Sequence, residues 1–131
     1  MKKVTLFILL LISFVGYSQK ELDSIQIFAA AEIAPEYPGG INAFRQFIAE
    51  NYINPKTDKN IKGTIVLTFV IEPDGSLSSI KVIRDLGYGT GAEAVRVLKK
   101  SKKWKPGVQN GRPIRVMYNL PLQLNIKKSK K

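Results

Sequence analysis

From Gly63 to Ile71 the chain alternates in character. Ile65, Leu67, Phe69 and Ile71 fall on one side; Thr64, Val66, Thr68 and Val70 fall on the other. A period of two predicts a strand. Both sides are fairly apolar, which predicts a central strand with one face under helices. Glu72-Pro73-Asp74-Gly75-Ser76 follows as a hairpin turn, because proline presets φ and Asp74-Gly75 tolerates positive φ. Leu77 to Arg84 reads as the return strand, with Ile80 and Val82 on one face.

Two other segments carry a helical period. Ile41, Phe44, Ile48 and Tyr52 form an apolar stripe that Phe47 widens and Pro55 ends. It opens after the turn-forming Pro35-Glu36-Tyr37-Pro38-Gly39-Gly40. The second helix follows the loop Gly87-Tyr88-Gly89-Thr90-Gly91. Thr90 is the expected N-cap and Glu93, three residues on, completes a capping box. Ala92, Val95 and Leu98 make its apolar stripe, and Arg96, Lys99, Lys100, Lys102 and Lys103 lie mostly off it. Lysines at the C-terminal end suit the helix dipole.

Pro106-Gly107 stops this helix, and Asn110-Gly111 turns the chain into a last strand from about Ile114 to Ile126. Pro121 has no N–H for a ladder, so it marks an edge or a bulge. Ile25 to Ile33 offers a possible short N-terminal edge strand. The fold class that results is α+β: an antiparallel sheet of about three strands, plus that possible edge strand, with two helices packed on one face.

The first residues bear on compartment. Lys2 and Lys3 precede an apolar run from Val4 to Val15, and Gly16-Tyr17-Ser18 supplies small residues for a cleavage site. This is the pattern of a secretory signal peptide, with the cut expected between Ser18 and Gln19. The rival is a retained inner-membrane anchor. As a helix the run reaches about 22 Å, short of the roughly 30 Å hydrocarbon core. Residues 1–18 are therefore assigned as signal, 19–26 as a flexible leader, 27–126 as the domain and 127–131 as a basic tail. The expected location is the periplasm.

The 131 residues have room for one domain and carry a formal net charge of +11. Lys2 and Lys3 hold two of those charges and the lysines of the tail hold four, leaving +5 for residues 19–126. The tail is expected to stay solvated and disordered. For an exported protein the counter-charge is an anionic membrane or peptidoglycan surface rather than nucleic acid.

Histidine and cysteine are absent. That excludes a Ser-His triad, a Cys-His pair, the usual zinc sites and disulfide support. The ten carboxylates are scattered, and no pair has the spacing of a carboxylate hydrolase. Gly87, Gly89 and Gly91 lack the spacing of a dinucleotide fingerprint and the lysine of a P-loop, so they read as a flexible connection. Trp104 is expected in the core, burying roughly 200 Å². No cofactor, metal or catalytic group is expected.

One set of residues carries a family signal. Tyr37-Pro38-Gly39-Gly40 leads to Ala43-Phe44; the alternating strand ends in Asp74-Gly75; Ile80 and Val82 mark the return strand. Ala92-Glu93-Ala94, Trp104-Lys105-Pro106-Gly107 and Gly111-Arg112-Pro113 follow, before a final apolar strand. The block resembles the C-terminal domain of TonB, the energy transducer of Gram-negative bacteria, over residues 27–126.

The resemblance implies a periplasmic domain that binds outer-membrane TonB-dependent receptors, partly by adding a receptor segment as a strand to a sheet edge. By position that edge is Val116 to Leu124, with Val116, Tyr118, Leu120 and Leu122 as partner-binding residues. Gln19 to Tyr37 reaches at most about 70 Å when extended, so after signal cleavage an adaptor or modulator is expected rather than a motor. The rival function is an envelope structural protein, held to peptidoglycan or anionic membrane by Lys99 to Lys105, with Lys99, Lys100, Lys102 and Lys103 as its basic surface, and by the C-terminal lysines Lys127 to Lys131. Dimerisation through the edge strand is left open.

Overall fold

The computed structural model describes residues 31–130. The elements run α1 (Ile41–Asn51), β1 (Ile61–Ile71), β2 (Leu77–Arg84), α2 (Thr90–Lys99), β3 (Gly107–Gln109), β4 (Arg112–Ile114) and β5 (Val116–Ile126). β2, β1 and β5 form an antiparallel sheet in that order, and β3 pairs with β4 in a small separate hairpin. The α+β architecture follows from the patterning: β1 is central and both helices cover one face.

The core sits between that face and the helices. Ile65, Leu67, Phe69 and Ile71 of β1 are fully shielded from solvent. Phe44 and Ile48 of α1 and Ala94, Val97 and Leu98 of α2 close over them. Each large apolar side chain buried this way contributes about 1.5–3 kcal/mol. Trp104 joins the same cluster. Its ring meets Phe44 edge-on at 4.8 Å and Tyr118 at 5.2 Å between centroids. Its Nε1–H donates to Ser101 Oγ at 3.1 Å, so the indole is buried without an orphaned donor.

The β1–β2 turn is built as its residues dictate. The Gly75 N–H donates to the Glu72 carbonyl at 2.8 Å, and Asp74 Oδ1 accepts the Ser76 N–H at 2.9 Å. Gly75 has φ 87°, a left-handed conformation that favours glycine. Its carbonyl accepts the Trp104 N–H at 2.8 Å. A Cβ on Gly75 would lie 2.0 Å from the Trp104 carbonyl oxygen.

Several local expectations are corrected. Thr90 is the first residue of α2, not its cap, and Gly89 holds the cap position. Asp85 Oδ1 accepts the first-turn N–H of Gly91 at 3.2 Å and the N–H of Gly87, in the loop before the helix, at 3.0 Å, while the Thr90 N–H donates to the Gly87 carbonyl at 3.0 Å. Glu93 is engaged elsewhere, so no capping box forms. The buried stripe is Gly91, Ala94, Val97 and Leu98, rather than Ala92, Val95 and Leu98. The reason is close approach: a Cβ on Gly91 would stand 2.6 Å from Asp85 Oδ2 and 3.0 Å from Val82 Cγ1. The helix turns that glycine toward β2 and rotates its apolar face accordingly.

The last strand is two strands. Ile114 pairs with Gly107 in the small hairpin, and Val116 pairs with Ile71 in the main sheet. Between them Arg115 turns out, its Nε 2.8 Å from Glu72 Oε1. The basic tail is tied down as far as Ser129. The Lys128 N–H donates to Asn60 Oδ1 at 2.8 Å, and the Ser129 N–H donates to the Thr57 carbonyl at 2.8 Å. Most of the possible strand Ile25–Ile33 lies outside the described residues. Its last residue, Ile33, makes a β-bridge to Val108, and Glu36 bridges Lys105.

Candidate partner-binding edge

The sheet has two outer strands, and they differ. β2 pairs with β1 through two register shifts, and Ser79 at the second of them has φ 48°. Bulges of this kind twist an edge and blunt it against further pairing. β5 pairs with β1 from Ile61↔Ile126 to Ile71↔Val116 without a shift. Among the described residues nothing pairs with its other side.

Pro121 fixes which backbone groups face outward. It sits opposite Val66 within the unbroken register, so it takes the edge role, not the bulge. A residue without an N–H keeps such a register only where that N–H would point away from the neighbouring strand. In-plane orientation alternates along a strand. Met117, Asn119, Gln123 and Asn125 therefore share the outward orientation of Pro121 and offer N–H and C=O to the open side. Val116, Tyr118, Leu120 and Leu122 direct theirs to β1.

All four residues named from sequence thus lie on the open strand. Their side chains turn toward the helices: Val116 and Leu120 are buried, and Tyr118 and Leu122 are half-buried. Tyr118, Leu120 and Leu122, with Leu124, form the floor of a groove of about 790 Å³ that runs between β5 and α1, and Val116 lies outside it. Ile41, Arg45, Ile48 and Tyr52 of α1 and its C-terminal flank supply the wall. The α1 wall and the outward residues were missed from sequence. The parity of Pro121 was the available signal for the latter; nothing in the sequence announced the former.

A latch between the two helices holds that wall. Glu93 Oε2 accepts the Ile53 N–H at 2.7 Å and pairs with Arg96 Nη2 at 2.6 Å. Arg96 Nη2 also donates to the Asn51 carbonyl at 2.8 Å, and the Tyr52 hydroxyl donates to the Thr90 carbonyl at 3.0 Å. The hydrogen bond from Arg96 holds the Glu93 carboxyl below its usual range. Burial pushes the Tyr52 phenol up to about 12, and the charges of Glu93 and Asp85 push the same way.

Lys99, Lys100, Lys102 and Lys103 are all exposed at the end of α2 and just beyond. Lys103 Nζ lies 3.8 Å from Asp74 Oδ2. The other three form no ion pair among the described residues. No described helix is long and apolar enough to cross a membrane.

A profile of the Gram-negative bacterial TonB protein C-terminal family matches residues 54–126, more than half of the chain. The chain belongs to this family. The match spans β1 to β5 and is narrower than the resemblance over 27–126, since α1 precedes it. A TonB C-terminal domain is a non-catalytic, envelope-associated part of a transport system, and this chain is TonB-like and transport-associated in that sense. No match was found among curated proteins or among solved structures.

Proposed function

We propose that the protein is a periplasmic binding module that takes an extended segment of an outer-membrane TonB-dependent receptor as an added strand on β5, and so supports or modulates transport. One observation carries the reading: β5 is a regular edge of 11 residues, while the opposite edge is bulged twice. Unpaired edge groups supply affinity for an extended chain, and neighbouring side-chain pockets supply choice. Receptor plug-region segments fixed to a resin should capture the wild-type protein and fail to capture the Asn119→Pro variant. Equal capture of both sinks the reading. The apolar run Val4–Val15 fits export, and mass spectrometry of the mature N-terminus tests it: a start at Gln19 supports release into the periplasm, and an intact Met1 means an inner-membrane anchor.

A second reading rests on the exposed Lys99, Lys100 and Lys102. It makes the protein an envelope component bound to peptidoglycan or anionic membrane. Binding through these side chains is electrostatic, so co-sedimentation should fall as salt shortens the screening length from about 10 Å at 0.1 M to 3 Å at 1 M. Salt-independent sedimentation excludes it.

A further inference from the structure

We propose that the uncovered face of the main sheet docks an acidic amphipathic helix of a partner protein, with Lys81 and Arg84 as the charged contacts. The site uses side chains on that face and not the open backbone of β5.

The helices cover only the face that carries Ile65, Leu67 and Leu120. The register populates the opposite one. Residues directly paired across strands share a face, so Lys81 joins Thr68, and Arg84 joins Val66. Asn119 and Pro121 continue those two rows on β5, and Met117 stands opposite Val70. Arg84 reaches this face through a bulge. Val82 pairs with Leu67 and packs on the core, and strict alternation would carry Arg84 to the same side. The register shift leaves Ile83 as the extra residue and turns Arg84 over. Bulges that re-aim a side chain recur beside functional sites as well as at blunted edges.

Lys62 adds a third cation to the same face, opposite Asn125. Lys62, Lys81 and Arg84 are all exposed, and none forms an ion pair among the described residues. The three strands contain no carboxylate. Glu72, just past β1, is already engaged by Arg115 and Ser78. The face is therefore complementary to negative charge. Its middle is apolar: Val66 is half-buried, and Met117 and Pro121 are exposed.

Spacing and backbone chemistry name the occupant. Lys81 and Arg84 lie opposite residues two apart on β1, about 7 Å along the strand. Carboxylates at i and i+4 of a helix stand about 6 Å apart along its axis. A helix keeps its backbone hydrogen bonds internal, so it lies on a sheet face without cost to them. A lone extended segment there leaves its N–H and C=O groups unpaired. The apolar stripe of the helix meets Val66, Met117 and Pro121, and its acidic flank lies over β2.

The probe is a capped amphipathic helical peptide with leucines on one stripe and glutamates beside it, compared with a twin carrying glutamine for glutamate. Fluorescence anisotropy at low salt should show the glutamate peptide binding the full chain about tenfold more tightly, a difference two charge pairs supply. Lys81→Ser with Arg84→Ser should erase that difference and leave the urea midpoint unchanged. Amide shifts on binding should centre on Val66, Thr68 and Asn119. Gln123→Pro, which closes the edge of β5, should leave binding intact, as should Lys99→Ser with Lys100→Ser. Equal binding of the two peptides, or shifts centred on Lys99 to Lys103, overturns the proposal. Loss of binding in Gln123→Pro places the peptide on the edge and overturns it too. Binding of phosphatidylglycerol vesicles but not of the peptide makes the occupant a lipid surface and overturns the helix.

Discussion

Gly75 and Trp104 are bound backbone to backbone. The Trp104 N–H donates to the Gly75 carbonyl at 2.8 Å, and the space for a Gly75 side chain is filled by the Trp104 carbonyl oxygen. The Asp74-Gly75 turn and the Trp104-Lys105-Pro106-Gly107 element are thus one structural unit, though far apart in sequence. Gly75→Ala should lower stability by more than about 2 kcal/mol, from left-handed strain and a backbone clash together. Gly87→Ala is the control. It shares a positive φ of 80° but has open space, so about 1 kcal/mol is expected. Urea denaturation of the two variants measures the difference.

Proline substitution should follow the parity of β5. Asn119→Pro or Gln123→Pro removes an outward N–H, as Pro121 does naturally, and should leave a cooperative unfolding transition while abolishing partner capture. Tyr118→Pro or Leu120→Pro removes a bond to β1 and should cost about 3 kcal/mol or more. Circular dichroism melts beside the capture assay separate the two classes.

Asp85 does the capping work that sequence assigned to Thr90 and Glu93. Its carboxylate receives the N–H of Gly87 and of Gly91, and the bond from Gly87 leads in holding its titration below the usual carboxylate range. Asp85→Ala should cost about 1 kcal/mol, whereas Glu93→Ala should leave the start of α2 intact and loosen the end of α1. Amide exchange at Gly91 and Ile53 reports the two effects separately.

Stability should fall at both ends of the pH scale. Glu72, Asp74, Asp85 and Glu93 titrate lower in the fold than ordinary carboxylates. Their contribution is complete above their ordinary range and is lost as pH falls through the depressed values, below about pH 4. Tyr52 runs the other way. Its phenol titrates near 12 rather than 10, so its contribution is whole below about pH 10 and disappears as pH rises through 12. Urea midpoints across pH should show a plateau between, and Tyr52→Phe should flatten the alkaline limb.

The long alternations were legible from sequence because one buried face forces a period of two, and β1, the turn and β2 lie where that rule places them. The lysines after α2 were legible as surface for the same reason in reverse. What escaped depended on contacts between distant segments. The face of α2 is set by Gly91 against Asp85 and Val82, and Arg115, at the break between β4 and β5, is held by Glu72 of the distant β1–β2 turn. At the edge, period-two reading identified the residues facing the core. The backbone groups that face outward belong to their neighbours, and only the missing N–H of Pro121 reveals that phase. The groove needs α1 laid beside β5, a tertiary fact that no local pattern carries.

The two bulges of β2 have a consequence for assembly. A sheet that grows on both sides is a polymer unit, since each added strand presents a fresh edge. Among the described residues this sheet is blunted on one side and unpaired on the other, which leaves one edge suited to pairing. Two copies meeting through β5 would satisfy each other and stop. A foreign strand taken at β5 cannot be followed by a second on the far side. An edge blunted in this way works against fibre growth, because one of the two surfaces that a fibre requires is distorted.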